Sequence, residues 1–208
     1  MSNNFEALGI DKAVYDEAEA QEVSEGYKPL PSGVYKSKIK ELAIFNTDKG
    51  AGMLKVTVSP VNPDESLTDV TVYQNIKKKD GSANEIGTRT LKNVLEALNT
   101  SLDQVAVQNA EIVGYAKNVQ AKVISGIQNT MFLACIRQVH EEGAKYSDYN
   151  EIAAYAKADG TNAKGENIID AFKAKIEKNP ILERKAKNTQ SSSAGTVTAN
   201  TEKLKDLL

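Results

Sequence analysis

The sequence predicts a mainly β protein with a helical C-terminal extension, and three observations carry that expectation. Between residues 33 and 140 apolar and polar residues alternate in several short runs bounded by Gly, Pro, Asn and Asp. One segment in that stretch, GTRTLKNVLEALN, switches to helical spacing. No regular βα alternation appears, which disfavours a doubly wound nucleotide-binding sheet.

Taken in order, residues 1 to 26 form an acidic arm: up to Glu25, Glu6, Asp11, Asp16, Glu17, Glu19, Glu22 and Glu25 face Lys12 alone. Good helix formers and sparse apolar positions make it a surface helix or a partly disordered arm. Pro29, Pro31 and Gly33 mark the entrance to the next unit. GVYKSKIKELAIF, from Gly33 to Phe45, predicts a long first strand with Lys36, Lys38 and Lys40 on one parity and Tyr35, Ile39, Ala43 and Phe45 on the other. The turn residues Asp48 to Gly52 join it to MLKVTVS, whose Leu54, Val56 and Val58 share a face, so the two strands pair as a hairpin. VTVYQNI is a third strand. In the helical segment, Leu91, Val94, Leu95 and Leu98 fall at i, i+3, i+4 and i+7, with Thr88 or Thr90 available as cap. NVQAKVISGI and MFLACIRQVH then predict a closing hairpin ending near His140.

Three strands, a helix and two strands is the order expected of an OB-fold, a small five-stranded Greek-key barrel, here over residues 27 to 142. Residues 143 to 187 predict a helical extension. One helix is capped by Ser147 or Asp148, passes Ile152 and Tyr155 and stops at Gly160; a second runs from about Glu166 to Asn179. Residues 188 to 208 predict a flexible polar tail whose Leu204, Leu207 and Leu208 make a short apolar patch for a partner.

Composition narrows the chemistry. One Cys, one His and no Trp in 208 residues exclude an internal disulfide framework and a Cys/His zinc site. No cofactor is expected and the protein reads as a non-enzyme, since histidine chemistry would have to run through His140, a strand-end surface residue without a nucleophile elbow nearby. Cys135, mid-strand in FLACI, reads as a small buried hydrophobe. GTNAKGEN lacks the Lys-Ser/Thr of a phosphate-binding loop, and the stretch from Asp159 to Asp170 places Lys164 where a calcium loop needs Gly, so it reads as a turn between helices. Clustered metal-binding carboxylates for a nuclease are not apparent, Asp48, Asp69 and Asp80 sitting in turns. Neither a signal peptide nor a membrane span is evident, so the expectation is a soluble, cytoplasmic protein with no membrane partner.

The net charge of -2 divides into -6 for residues 1 to 25, +4 for residues 26 to 140 and zero for the rest. Single strands of nucleic acid are held by cations for phosphates and flat rings for bases. Lys36, Lys38, Lys55, Tyr73 and the run Lys77, Lys78 and Lys79 supply both types, with Tyr35, Phe45, Tyr115 and Phe132 as further rings. The same alternation also suits a solvated sheet face with the rings in the core.

The run SGVYKSKIKELAIFNTDKGAGMLKVTV, followed by a short helix and a closing hairpin, resembles the bacteriophage single-stranded DNA-binding proteins with an OB-fold. The resemblance covers roughly residues 27 to 140. It implies sequence-independent coating of single-stranded DNA in phage replication or recombination inside the infected host cell, with Lys36, Lys38, Lys55, Tyr73 and Lys77 to Lys79 as contacts. It also implies replication or recombination proteins as partners through the tail, and it leaves room for a homo-oligomer. The chain departs from the family in its neutral tail tip, where Glu202 and Asp206 are balanced by Lys203 and Lys205. The alternative expectation is a phage assembly or virion interaction protein that uses the barrel as a scaffold.

Overall fold

The computed structural model describes residues 28–61, 68–115, 117–144 and 147–185; the acidic arm and the tail with Leu204, Leu207 and Leu208 lie outside the described residues. The described chain is mainly β, an antiparallel sheet with one parallel addition and two α-helices. In order come β1 (Gly33–Asn46), β2 (Gly52–Pro60), β3 (Val70–Lys77), α1 (Glu85–Ala97), β4 (Ala106–Gly114), β5 (Lys117–Ser125), β6 (Met131–Glu142), β7 (Asp148–Ala156), α2 (Ile169–Lys178) and β8 (Ile181–Lys185).

The long first strand organises the sheet. One edge of β1 pairs with β2, which pairs with β3. Its other edge is shared: Gly33 to Lys38 pair with β6, and Ala43 to Phe45 pair with β5. Where β1 leaves the edge of β6, β8 replaces it in parallel from Gln138 onward. Ser32 sits at that junction, accepting from the Gln138 amide and donating to the Pro180 carbonyl.

The main core lies between the β1–β2–β3 and β6–β7 walls and under α1, with Ile39, Leu42, Leu54, Val56, Val58, Phe132 and Ile136 buried in it. Leu91, Val94, Leu95 and Leu98 of the helical segment are all buried there, as their spacing predicts. The cap is Asn84, whose Oδ1 accepts from the Ile86 and Gly87 amides, and Thr88 lies inside the helix instead. A second, smaller core sits on the opposite face of β1, where Ala43, Phe45 and Met53 meet Ala121 of β5. A third packs Ile169 and Phe172 of α2 against Cys135 and Ala156.

Three expectations are corrected. The segment from Asp148 to Ala156 is strand, not helix, because the outer edge of β6 carries unpaired backbone groups that β7 satisfies along its length. Ile152 and Tyr155, three apart, both join the main core because the register slips by one residue opposite Cys135 and Ile136. A bulge therefore reproduces the spacing of a helix. The loop from Asp159 to Glu166 consequently joins a strand to a helix, closed by Asx turns at Asp159 and Asn162. Finally, β5 does not pair with β6: its hairpin partner is β4, and β6 closes a hairpin with β7. The run AVQNAEIVG of β4 has only one charge and mostly exposed side chains, so it lacks the half-buried alternation that marks a strand. The second predicted helix is present as α2, with the Asn167 side chain accepting from the Ile169 and Asp170 amides at its start.

A bulge also governs β1. Ile39 pairs with Val58 and Glu41 with Thr57, leaving Lys40 extra. Parity reverses there, so Ile39 and Leu42 share the main core while Ala43 and Phe45 turn to the other face.

Candidate functional site

The outer face of β1–β2–β3 is built in cross-strand rows. Glu41, Thr57 and Thr71 form one, with the two threonine hydroxyls 3.0 Å apart; Ala43, Lys55 and Tyr73 form the next; Phe45, Met53 and Asn75 the third. The β4–β5 hairpin folds over this face. Its end at Gly114 is buried against the Phe45 ring, and a Cβ on Gly114 would stand 3.0 Å from that ring.

That covering decides the fate of Lys55. Its side chain is only 9% exposed; Nζ lies 2.9 Å from both carboxylate oxygens of Glu41, with hydrogen-bond alignment to Oε2, and donates to the Val113 carbonyl at 2.8 Å. An ammonium committed in this way is a structural cation pinning the hairpin to the sheet, not a phosphate contact. Lys40, on the same outer side, is paired to Asp69, which also accepts from Ser59. Lys36 is exposed and Lys38 half-buried, both in the half of β1 that pairs with β6.

Tyr73 belongs to a cluster of three rings on this face. Its ring stacks on Tyr115, with centroids 4.4 Å apart and planes at 24°, and both rings meet the edge of Phe45. Tyr115 caps the β4–β5 hairpin at a positive φ of 49° and is 50% exposed. Burial of part of its ring, with Tyr73 beside it, raises its phenol pKa. In the sequence Tyr115 is only one ring among several, because its partner lies 42 residues away.

Lys77, Lys78 and Lys79 are exposed at the end of β3. The register slips between Gly52 and Met53, so Lys77 stands beside Gly52 rather than continuing the row of Tyr73. There it lines a groove of about 420 Å³ with Lys122, Asn46, Asn109 and Gln120. Lys117 pairs with Asp48 in the β1–β2 turn, next to exposed Lys49. One end of the sheet thus gathers Lys49, Lys77, Lys78, Lys79, Lys117 and Lys122 from three separate segments, the β1–β2 turn, the end of β3 and β5. The fold brings Tyr73 and Lys77 to Lys79 to that end and leaves Lys36 and Lys38 at the other. A larger groove of about 680 Å³ between β3, α1 and β7 carries Glu96 and Glu151 and no cation, the wrong charge for phosphate.

His140 is paired through Nδ1 to Asp148 at 2.9 Å, and Ser147 donates to that carboxylate rather than to the imidazole, so no Ser–His relay is formed. Burial raises the Cys135 thiol to about 11, keeping it neutral. Among the described residues no cluster of three or more His, Cys, Asp or Glu side chains is placed to hold a metal ion, and no helix is long and apolar enough to cross a membrane. Comparison with protein-family models, with curated proteins and with solved structures finds no match to this chain.

Proposed function

We propose that this protein binds single-stranded DNA without sequence preference, as an OB-fold-like barrel serving phage DNA replication or recombination. The observation that carries the reading is the half-exposed Tyr73–Tyr115 stack at the lysine-rich end of the sheet. Bases have a flat face whatever their identity, so a ring platform beside exposed cations favours unpaired strands over a duplex, whose bases are already stacked. The barrel reading is supported by the pairing of β1 with β2 on one edge and β6 on the other, and by β3 and β7, which both run parallel to β1 and approach one another. Hydrogen bonding between β3 and β7 is open, and the β4–β5 hairpin is an insertion between α1 and the closing pair β6–β7.

Without Trp, the emission of the chain's eight tyrosines reads out binding, and the part of the quenching lost in Tyr115→Ala is the platform's share. Titration with oligothymidine is expected to quench that emission, with a matched duplex binding far more weakly. Tyr115→Ala is expected to weaken binding of the single strand by about 1–3 kcal/mol at temperatures where the variant is folded, with a modest drop in the unfolding midpoint from the lost ring contacts. Equal affinity for duplex and single strand, or no binding at low salt, would refute the proposal.

A further inference from the structure

The last strand of the sheet path, β4, pairs on one side only among the described residues, with β5. Edge strands are ordinarily guarded by Lys, Pro or a bulge, because their free N–H and C=O groups template further pairing. This one has no such guard: AVQNAEIVG contains neither Lys nor Pro, its register against β5 is unbroken from Ala106 to Gly114, and Glu111 is its only charge. Val107 and Val113 are 52% and 56% exposed.

The strand is also complementary to itself. Run antiparallel against a second copy about Ala110, it sets Val107 opposite Val113, Gln108 opposite Ile112, Asn109 opposite Glu111, and Ala110 opposite its own copy. Each exposed valine meets the other valine, and the single carboxylate faces an amide instead of its own copy, which would repel it. Because the Val113 carbonyl is already taken by Lys55, new backbone bonds are confined to the middle of the strand, with valine contacts closing each end. From this we infer that two copies of the chain associate through β4 in that two-fold register, joining their sheets into one. The inference does not rest on nucleic-acid binding and is tested without it.

The readout is the oligomeric state of the full chain by sedimentation equilibrium. The wild type is expected to form a dimer. The double variant Val107→Lys/Val113→Lys sets lysine against lysine at both ends and is expected to dimerise at least about tenfold more weakly. Val107→Glu/Val113→Glu fails likewise, and mixing the two variants restores a one-to-one dimer. Both positions are exposed, so far-ultraviolet circular dichroism should confirm unchanged folding. Ala110→Cys is expected to cross-link rapidly on mild oxidation, since directly opposed Cα atoms lie about 4.5–5.5 Å apart and a disulfide spans that distance; Cys135 is buried and does not compete. A wild type that stays monomeric up to millimolar concentration, or a dimer untouched by the charge pairs, overturns the inference.

Discussion

Lys55 shows how one residue changes meaning with its surroundings. In sequence it is one of the lysines alternating along a strand; in the fold it is nearly enclosed, and its charge is held by Glu41 and the Val113 carbonyl. Removing one partner of such a pair leaves the other charge poorly solvated. Lys55→Ala is expected to destabilise the protein by about 2–3 kcal/mol in urea unfolding, somewhat below a fully buried pair because Glu41 keeps some solvent contact. Its effect on oligothymidine affinity at temperatures where the variant is folded should be small. A large loss of affinity with unchanged stability would return Lys55 to the binding face.

His140 titrates in a defined direction. The hydrogen bond to Asp148 is the largest influence, and with Glu183 and Glu142 nearby it raises the imidazole pKa. The same bond, with help from Ser147, holds Asp148 low. A raised histidine stabilises the fold fully below its unfolded value of about 6.5 and loses that contribution as pH climbs through the folded value. A lowered aspartate stabilises above about 3.9 and loses its contribution as pH falls. The pair is therefore strongest from about pH 4 to 6.5. Because the chain has one histidine, its ring proton resonances give the value directly; Asp148→Asn should bring the midpoint down, and an unmoved midpoint would count against the pairing.

At the scale of elements, α1 is seated by close approach and not by apolar spacing alone. Gly87 lies in its first turn with its backbone against β3, and a Cβ there would fall 2.0 Å from the Asn75 carbonyl oxygen. Alanine favours helices by about 1 kcal/mol over glycine. Here the clash is with backbone, which has little room to yield, so Gly87→Ala is expected to cost about 2 kcal/mol net. A stabilised variant in thermal unfolding would show that the helix can slide outward freely. The bulges belong to the same scale: at Lys40 and opposite Cys135–Ile136 a single extra residue moves the apolar set to the other parity. That is why Ile152 and Tyr155 mimic a helix, and why parity counted from Tyr35 along β1 reaches Phe45 on the wrong face.

For the whole molecule, the gathered lysines set an ionic-strength dependence. Six cations each meeting one phosphate would give log affinity against log salt a slope of about -4 for a single strand. Lys77→Ala/Lys78→Ala/Lys79→Ala should flatten that slope by about 2, whereas Lys36→Ala/Lys38→Ala, at the far end of β1, should hardly change it. The reverse pattern would move the interface to the other end of the sheet.

Much was legible in the sequence. The β1–β2 hairpin, β3, the buried face of α1 and the presence of α2 follow from spacing, because backbone geometry imposes its period on neighbouring residues. Tyr73 and Lys77 to Lys79 were visible as candidates for the same reason. Only the tertiary structure decided which strands pair, that β7 is strand, that Lys55 is enclosed, and that Tyr115 meets Tyr73. These depend on residues far apart in the chain: an unpaired edge converts a helix-like segment to strand, and a folded-back hairpin takes a charge out of water. Local periodicity carries no record of either event.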